Sequence, residues 1–158
     1  MILDSGNRTE FSTGAVRDIQ EDKGRCDLIP LDAAGECFRG ADGNVLRNIS
    51  LFMGSGDKRH LVNAIQAFCG IHNWGLADAM LEVSMHYKQG AEKYGERNWE
   101  KGIPLHSYID SGVRHVLKYL DGQNDERHDR AFVWNMLGAI WTMDHKPDMI
   151  DIPFDILG

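Results

Sequence analysis

Glu82, His86, Gln89 and Lys93 fall within about 60° of one another at 100° per residue, on a segment whose apolar residues take another face. A carboxylate and an imidazole at i and i+4 can share a metal ion or a phosphate-bound water. A solvated polar face explains the same spacing. His128, Asn135 and Thr142 step by sevens along an otherwise apolar segment, so these three are expected to be buried and to need partners, in a structural network or in a site. Asp125 and Asp129 open that segment as a like-charged pair, unfavourable unless a cation or the helix N-terminus offsets it, although Asp125 also suits a cap. Asp110 and Arg114 have the spacing of an ion pair, and His115 points about 140° away from Asp110, so at most one of Asp110 and His115 belongs to a given metal centre. The connection from Lys93 to Gly102 carries Lys93, Tyr94, Arg97, Asn98, Trp99 and Lys101, a set suited to holding a phosphate and stacking on a base. Trp99 could equally plug the end of a helical bundle.

These residues need a frame. At 158 residues with 42% hydrophobic content the chain is expected to form one globular unit with a core, and no apolar run approaches the ~18 residues of a membrane span. The net charge of −7 argues against binding a nucleic acid polymer but leaves room for a basic pocket that takes one small anion. Cys26, Cys37 and Cys69 are odd in number, widely spaced and without C-x-x-C, which points to neither a disulfide framework nor a structural zinc. No signal peptide is read at the N-terminus, and a reducing cytoplasm is the expected compartment. P-loop, H-E-x-x-H, G-x-S-x-G and Rossmann fingerprints are absent from the sequence.

Residues 1–30 show no sustained period and read as an irregular arm of the same domain; residues 31–158 read as one all-α domain. Within it, 32–37 suggests a helical turn and 39–56, rich in glycine, a weakly structured connection. Helices are expected from Asp57 to a stop at Gly70, from Leu76 to Gly95, from Pro104 to Gly122, and from about Asn124 or Asp125 through the apolar run that includes Phe132, Met136 and Trp141. No alternating strand is evident. The expected architecture is a four- to five-helix antiparallel bundle with an irregular N-terminal arm.

Taken in order, Arg8-Thr9-Glu10-Phe11-Ser12-Thr13-Gly14-Ala15-Val16-Arg17-Asp18, Lys23 to Pro30, His86, Gly90 to Pro104, Tyr108 to Ser111, Arg114-His115, and Asp125 to Ala131 leading to Trp134-Asn135 resemble the dATP/dGTP diphosphohydrolase family common in phages and prophages. Against shorter members of that family, residues 36–75 look like an insertion. The resemblance implies an all-α nucleoside-triphosphate pyrophosphohydrolase that cuts a purine dNTP to dNMP and pyrophosphate with Mg²⁺, Mn²⁺ being an alternative. By position it makes Glu82 and Asp110 the first metal-site candidates, with His86, His115, His128, Asp129 and Asn135 around them. Arg25, Lys93, Arg97, Lys101 and Arg114 would neutralise phosphate, and Tyr94 or Trp99 would stack on the base, with Asn98 beside them. The E-x-x-E and E-x-x-D pairs that mark the wider all-α pyrophosphohydrolases are not clean in this sequence.

Two other readings use the same residues. His128-Asp129 could be the metal pair of an HD-type triphosphohydrolase, with His86 or His115 upstream and Asp144 or Asp148 downstream, releasing nucleoside and tripolyphosphate. A phage-encoded nucleotide-sequestering protein would keep the loop and its cations without a competent metal centre. A pure protein-interaction module is a third class. A homo-oligomer is expected because the core of four helices is small.

Overall fold

The computed structural model describes residues 8–154. An antiparallel hairpin, β1 (Arg8–Glu10) and β2 (Val16–Asp18), precedes six helices: α1 (Leu31–Glu36), α2 (Asp42–Ser55), α3 (Arg59–His72), α4 (Leu76–Tyr94), α5 (Leu105–Leu120) and α6 (His128–His145). Short 3-10 turns lie at Cys26–Leu28, Asn98–Lys101 and Pro147–Met149. The all-α class is the expected one, with six helices where four or five were expected.

α5 and α6 form the centre. Leu105, Ile109, Val113 and Val116 of α5 and Phe132, Val133, Met136 and Ala139 of α6 are buried, each set recurring at three- and four-residue steps. α6 also packs on α3 and α4, which is why it is apolar nearly all round. The two central helices approach closely at Gly138, where a methyl group would overlap the fully buried ring of Tyr108. Gly138→Ala is therefore expected to destabilise the fold by at least about 2 kcal/mol, because a rigid buried ring cannot step aside, and urea unfolding measures the loss.

Four expectations are corrected. Residues 39–56 are not a loose connection: Val45, Leu46, Ile49 and Phe52 make the buried face of α2, which packs on α1 and α3. Their glycines hid the period, and Gly43 is there because a side chain would strike the backbone oxygen of Gly35. Gly70 lies inside α3, whose end is instead Asn73, in the left-handed region at φ 58° with its N–H bonded to Cys69 O. The arm holds a hairpin whose three-residue strands are too short to show alternation. α6 also begins at His128, a turn later than expected.

Candidate functional site

A cavity of about 550 Å³ opens between β2, α4, the turn Asn98–Lys101, α5 and the start of α6. Its walls hold five cations, Arg17, Lys23, Arg97, Arg114 and Lys118, against the three carboxylates Asp18, Asp125 and Glu126, so the cavity is basic in a protein of net charge −7. Tyr87, Tyr94, Trp99 and Trp134 supply an aromatic wall beside them.

Arg17 is held there by a chain of local causes. Asn98, only 7% exposed, acts as a strand partner for Val16: its Oδ1 accepts from Val16 N at 2.9 Å and its Nδ2 donates to Val16 O at 2.7 Å. Thr13 Oγ1 ties the hairpin turn to Gly102 O. With β2 pinned, the Arg17 guanidinium enters between α5 and α6 and donates to Ser111 Oγ at 3.1 Å, Asn135 Oδ1 at 3.3 Å and Ser107 O at 3.4 Å. It lies 5.7 Å from the centre of the Trp134 ring and 5.9 Å from that of Tyr108. Each of these hydrogen-bond acceptors is neutral, and among the described residues no carboxylate pairs with Arg17. Burial accordingly pushes its pKa down, although a guanidinium stays charged in proteins.

At one end of the cavity His115, Glu126 and His128 bring one ligand atom each to within 4.8 Å of one another. The two Nδ1 atoms are 2.9 Å apart, and Glu126 Oε1 is 3.9 Å from His115 Nδ1. His128 Nε2 lies 2.7 Å from Asp125 Oδ1, and this hydrogen bond holds the Asp125 carboxyl below its ordinary range. An ionised carboxylate only accepts, so His128 Nε2 is the donor of this hydrogen bond and Nδ1 is the nitrogen that faces His115. Burial, then the neighbouring His128, keeps His115 neutral far below its usual titration, and burial raises the Glu126 carboxyl.

Of the residues singled out in the sequence, His86, Tyr94, Arg97, Asn98, Trp99, Arg114, His115 and Asn135 line this cavity. Asp125 lines it as well, while the other acidic candidates are elsewhere. Glu82 Oε1 accepts from Arg130 at 2.9 Å and Arg127 at 3.3 Å. Asp110 Oδ1 takes Arg114 at 2.7 Å and Cys26 N at 2.6 Å, tying the turn Cys26–Leu28 to α5. Asp129 is bound by Arg127 at 2.8 Å and His72 at 2.9 Å. His128 and Asp129 thus diverge, and Asp144 is engaged by Lys58 at 2.5 Å, so an HD-type set is not gathered among the described residues. Arg25 forks onto Asp27 at 2.8 and 2.9 Å. Lys93 lies 5.2 Å from the centre of the Tyr94 ring, and Lys101 is exposed on its turn. Trp99 does both things its type allows, meeting Trp141 edge-on at 5.0 Å while lining the cavity. Sequence reasoning missed Arg17 and Glu126 as site residues. Both stand in stretches that carry the family resemblance, but nothing in their spacing marks them.

His86, 5.9 Å from Trp134, titrates at about 4, first because burial disfavours its cation and then because Arg17 repels it. Between pH 6.5 and 4 the unfolded chain therefore binds a proton at this residue that the folded one refuses. His86's contribution to stability is undiminished above pH 6.5, falls as pH drops through that window by up to about 3 kcal/mol, and is level below it. Urea unfolding of His86→Gln across this range should show a shallower decline than the wild type.

Among the described residues no helix is long and apolar enough to cross a membrane. Residues 55–152 match the family model described as dATP/dGTP diphosphohydrolase, N-terminal. No curated protein and no solved structure matches the chain.

Proposed function

The chain belongs to the dATP/dGTP diphosphohydrolase family by its N-terminal model, and from that premise we propose that it hydrolyses a purine dNTP to dNMP and pyrophosphate in the cytoplasm. The observation that carries this reading is Arg17, a half-buried cation whose side-chain hydrogen bonds end on neutral partners, facing a basic, aromatic-walled cavity. Withdrawing such a charge from water without a carboxylate partner is unfavourable, and an anionic ligand offsets the cost. The volume is in the range of small-molecule sites. The base would stack on the wall of Tyr87, Tyr94, Trp99 and Trp134, while Arg17, Arg114, Lys118 and Lys23 would hold the phosphates. In the reaction a water oxygen bonds to the α-phosphorus as the bond to the bridging oxygen of the β-phosphate breaks. Mg²⁺, or Mn²⁺ in its place, is the proposed cofactor; a bound divalent ion supplies charge neutralisation on the phosphates and lowers the pKa of water.

The test is to incubate the protein with a panel of dNTPs and NTPs and either metal, resolving products by ion-exchange chromatography. A purine dNMP with pyrophosphate is the expected result. Nucleoside with tripolyphosphate would replace it with HD-type chemistry. Tight binding without product would favour a sequestering protein, and absence of any nucleotide-induced thermal shift an interaction module. A homo-oligomer is also proposed, since α4 exposes Leu76, Met80, Leu81 and Met85. Light scattering at the monomer mass would refute it.

A further inference from the structure

We propose that His115, Glu126 and His128 form a preformed site for a divalent first-row transition cation, with two imidazole nitrogens and one carboxylate oxygen as ligands and open positions facing the cavity. As a binding site it stands on its own geometry and is distinct from the Mg²⁺ or Mn²⁺ carried on the substrate phosphates; as a statement about catalysis it deepens the hydrolase reading and rests on it.

The ligand atoms come from three places: α5 (His115), the approach to α6 (Glu126) and the first residue of α6 (His128), all within 4.8 Å. A 2.9 Å separation of two imidazole nitrogens is close to that of adjacent ligands around one six-coordinate ion with bonds of about 2.1 Å. Asp125 makes the arrangement more than a histidine pair. By accepting from His128 Nε2 at 2.7 Å it fixes the tautomer whose Nδ1 faces the other two ligands, the carboxylate–histidine relation that supports metal-bound histidines. His115, Asp125 and Glu126 line the cavity that Arg17 also lines, whereas His128 is 2% exposed, so an ion held here would face the same cavity. The donor set also chooses the ion: Mg²⁺ favours oxygen ligands and water, while two nitrogens with one carboxylate favour zinc, iron and cobalt. Glu82, Asp110 and Asp129, the acidic alternatives, already serve arginines.

The experiment is a titration of the full chain with Co²⁺, without nucleotide, followed by its d–d absorption, with Zn²⁺ and Mg²⁺ as competitors in calorimetry. We expect a stoichiometric site, displaced by Zn²⁺ and not by Mg²⁺ in about 100-fold excess. His115→Ala and Glu126→Gln should weaken binding at least about tenfold, and Asp125→Ala by about 10- to 100-fold. Asp125 is half exposed at its side chain, so its variant should keep the fold, which thermal melting checks. Absence of a stoichiometric Co²⁺ site in the wild type, unchanged binding in His115→Ala, or displacement by equimolar Mg²⁺ would each overturn the proposal. Co²⁺ binding without turnover of any nucleotide would uphold the site and remove the hydrolase reading; turnover without a Co²⁺ site would do the reverse.

Discussion

Replacing Arg17 with Met is expected to weaken nucleotide binding by at least about 30-fold while leaving the ligand-free protein as stable as the wild type or more so. Met keeps much of the side-chain volume between α5 and α6 and removes a charge whose hydrogen bonds end on Ser107 O, Ser111 Oγ and Asn135 Oδ1, all neutral. Replacing a poorly compensated buried charge with an apolar group of similar size is often neutral or stabilising. The ligand-bound state responds in the opposite direction: removing one partner of a buried charge pair costs about 2–5 kcal/mol, a loss of roughly 30- to 5,000-fold in affinity. Thermal melting with and without dGTP reads both halves, because stabilisation by a ligand follows RT ln(1 + [L]/Kd). Arg17→Lys, which keeps the charge but loses the planar fork, should fall between the two. A variant that melts several degrees lower but keeps its dGTP shift would make Arg17 a packing residue and leave the cavity without its principal anion anchor.

Much of this fold was legible because α3, α5 and α6 bury apolar residues on regular helical faces, and because Gly95 and Pro104 punctuate α4 and α5 where the chain turns, although α4 itself buries only Ala79 and Val83. α2 was not, since Gly43 serves a contact with α1 that local sequence cannot reveal. The same contrast runs through the site. The line His128, Asn135 and Thr142 is buried as its spacing required, and each finds a partner: Asp125 and His115 for the first, Arg17 and Ala131 O for the second, Gly138 O for the third. His115 and Asp110 diverge as 100° per residue demands, one toward His128 and the other toward Arg114. What spacing could not reveal was contact across elements. Arg17 precedes Asn135 by 118 residues and reaches it only because the side chain of Asn98 pins β2. Glu126 meets His115 only because the turn after α5 folds back. Glu82 and Asp110 attracted attention as acids on helical faces, and only the folded chain pairs them with Arg130, Arg127 and Arg114.

That pairing sets the second large effect, on turnover rather than binding. Glu126→Gln should lower kcat for dGTP hydrolysis at least about 100-fold while KM moves only a few-fold, the signature of a group needed in the transition state and not for ground-state binding. The substitution preserves shape and removes the negative charge that, beside two imidazoles, attracts a divalent ion; the anion anchors Arg17 and Lys118 are untouched. Glu82→Ala is the natural comparison. Its carboxylate, 32% exposed at the side chain, joins α4 to Arg127 and Arg130, so its removal should cost less than about 1 kcal/mol of stability and lower kcat less than Glu126→Gln does. Steady-state kinetics of both variants, on protein shown to be folded by its melting curve, separates the two carboxylates. If the larger loss of kcat falls on Glu82, the reacting centre lies along α4 and the cluster at the start of α6 is structural. If it falls on Glu126 with KM preserved, the cavity divides its work between cations that hold the nucleotide and a His-Glu-His set that turns it over.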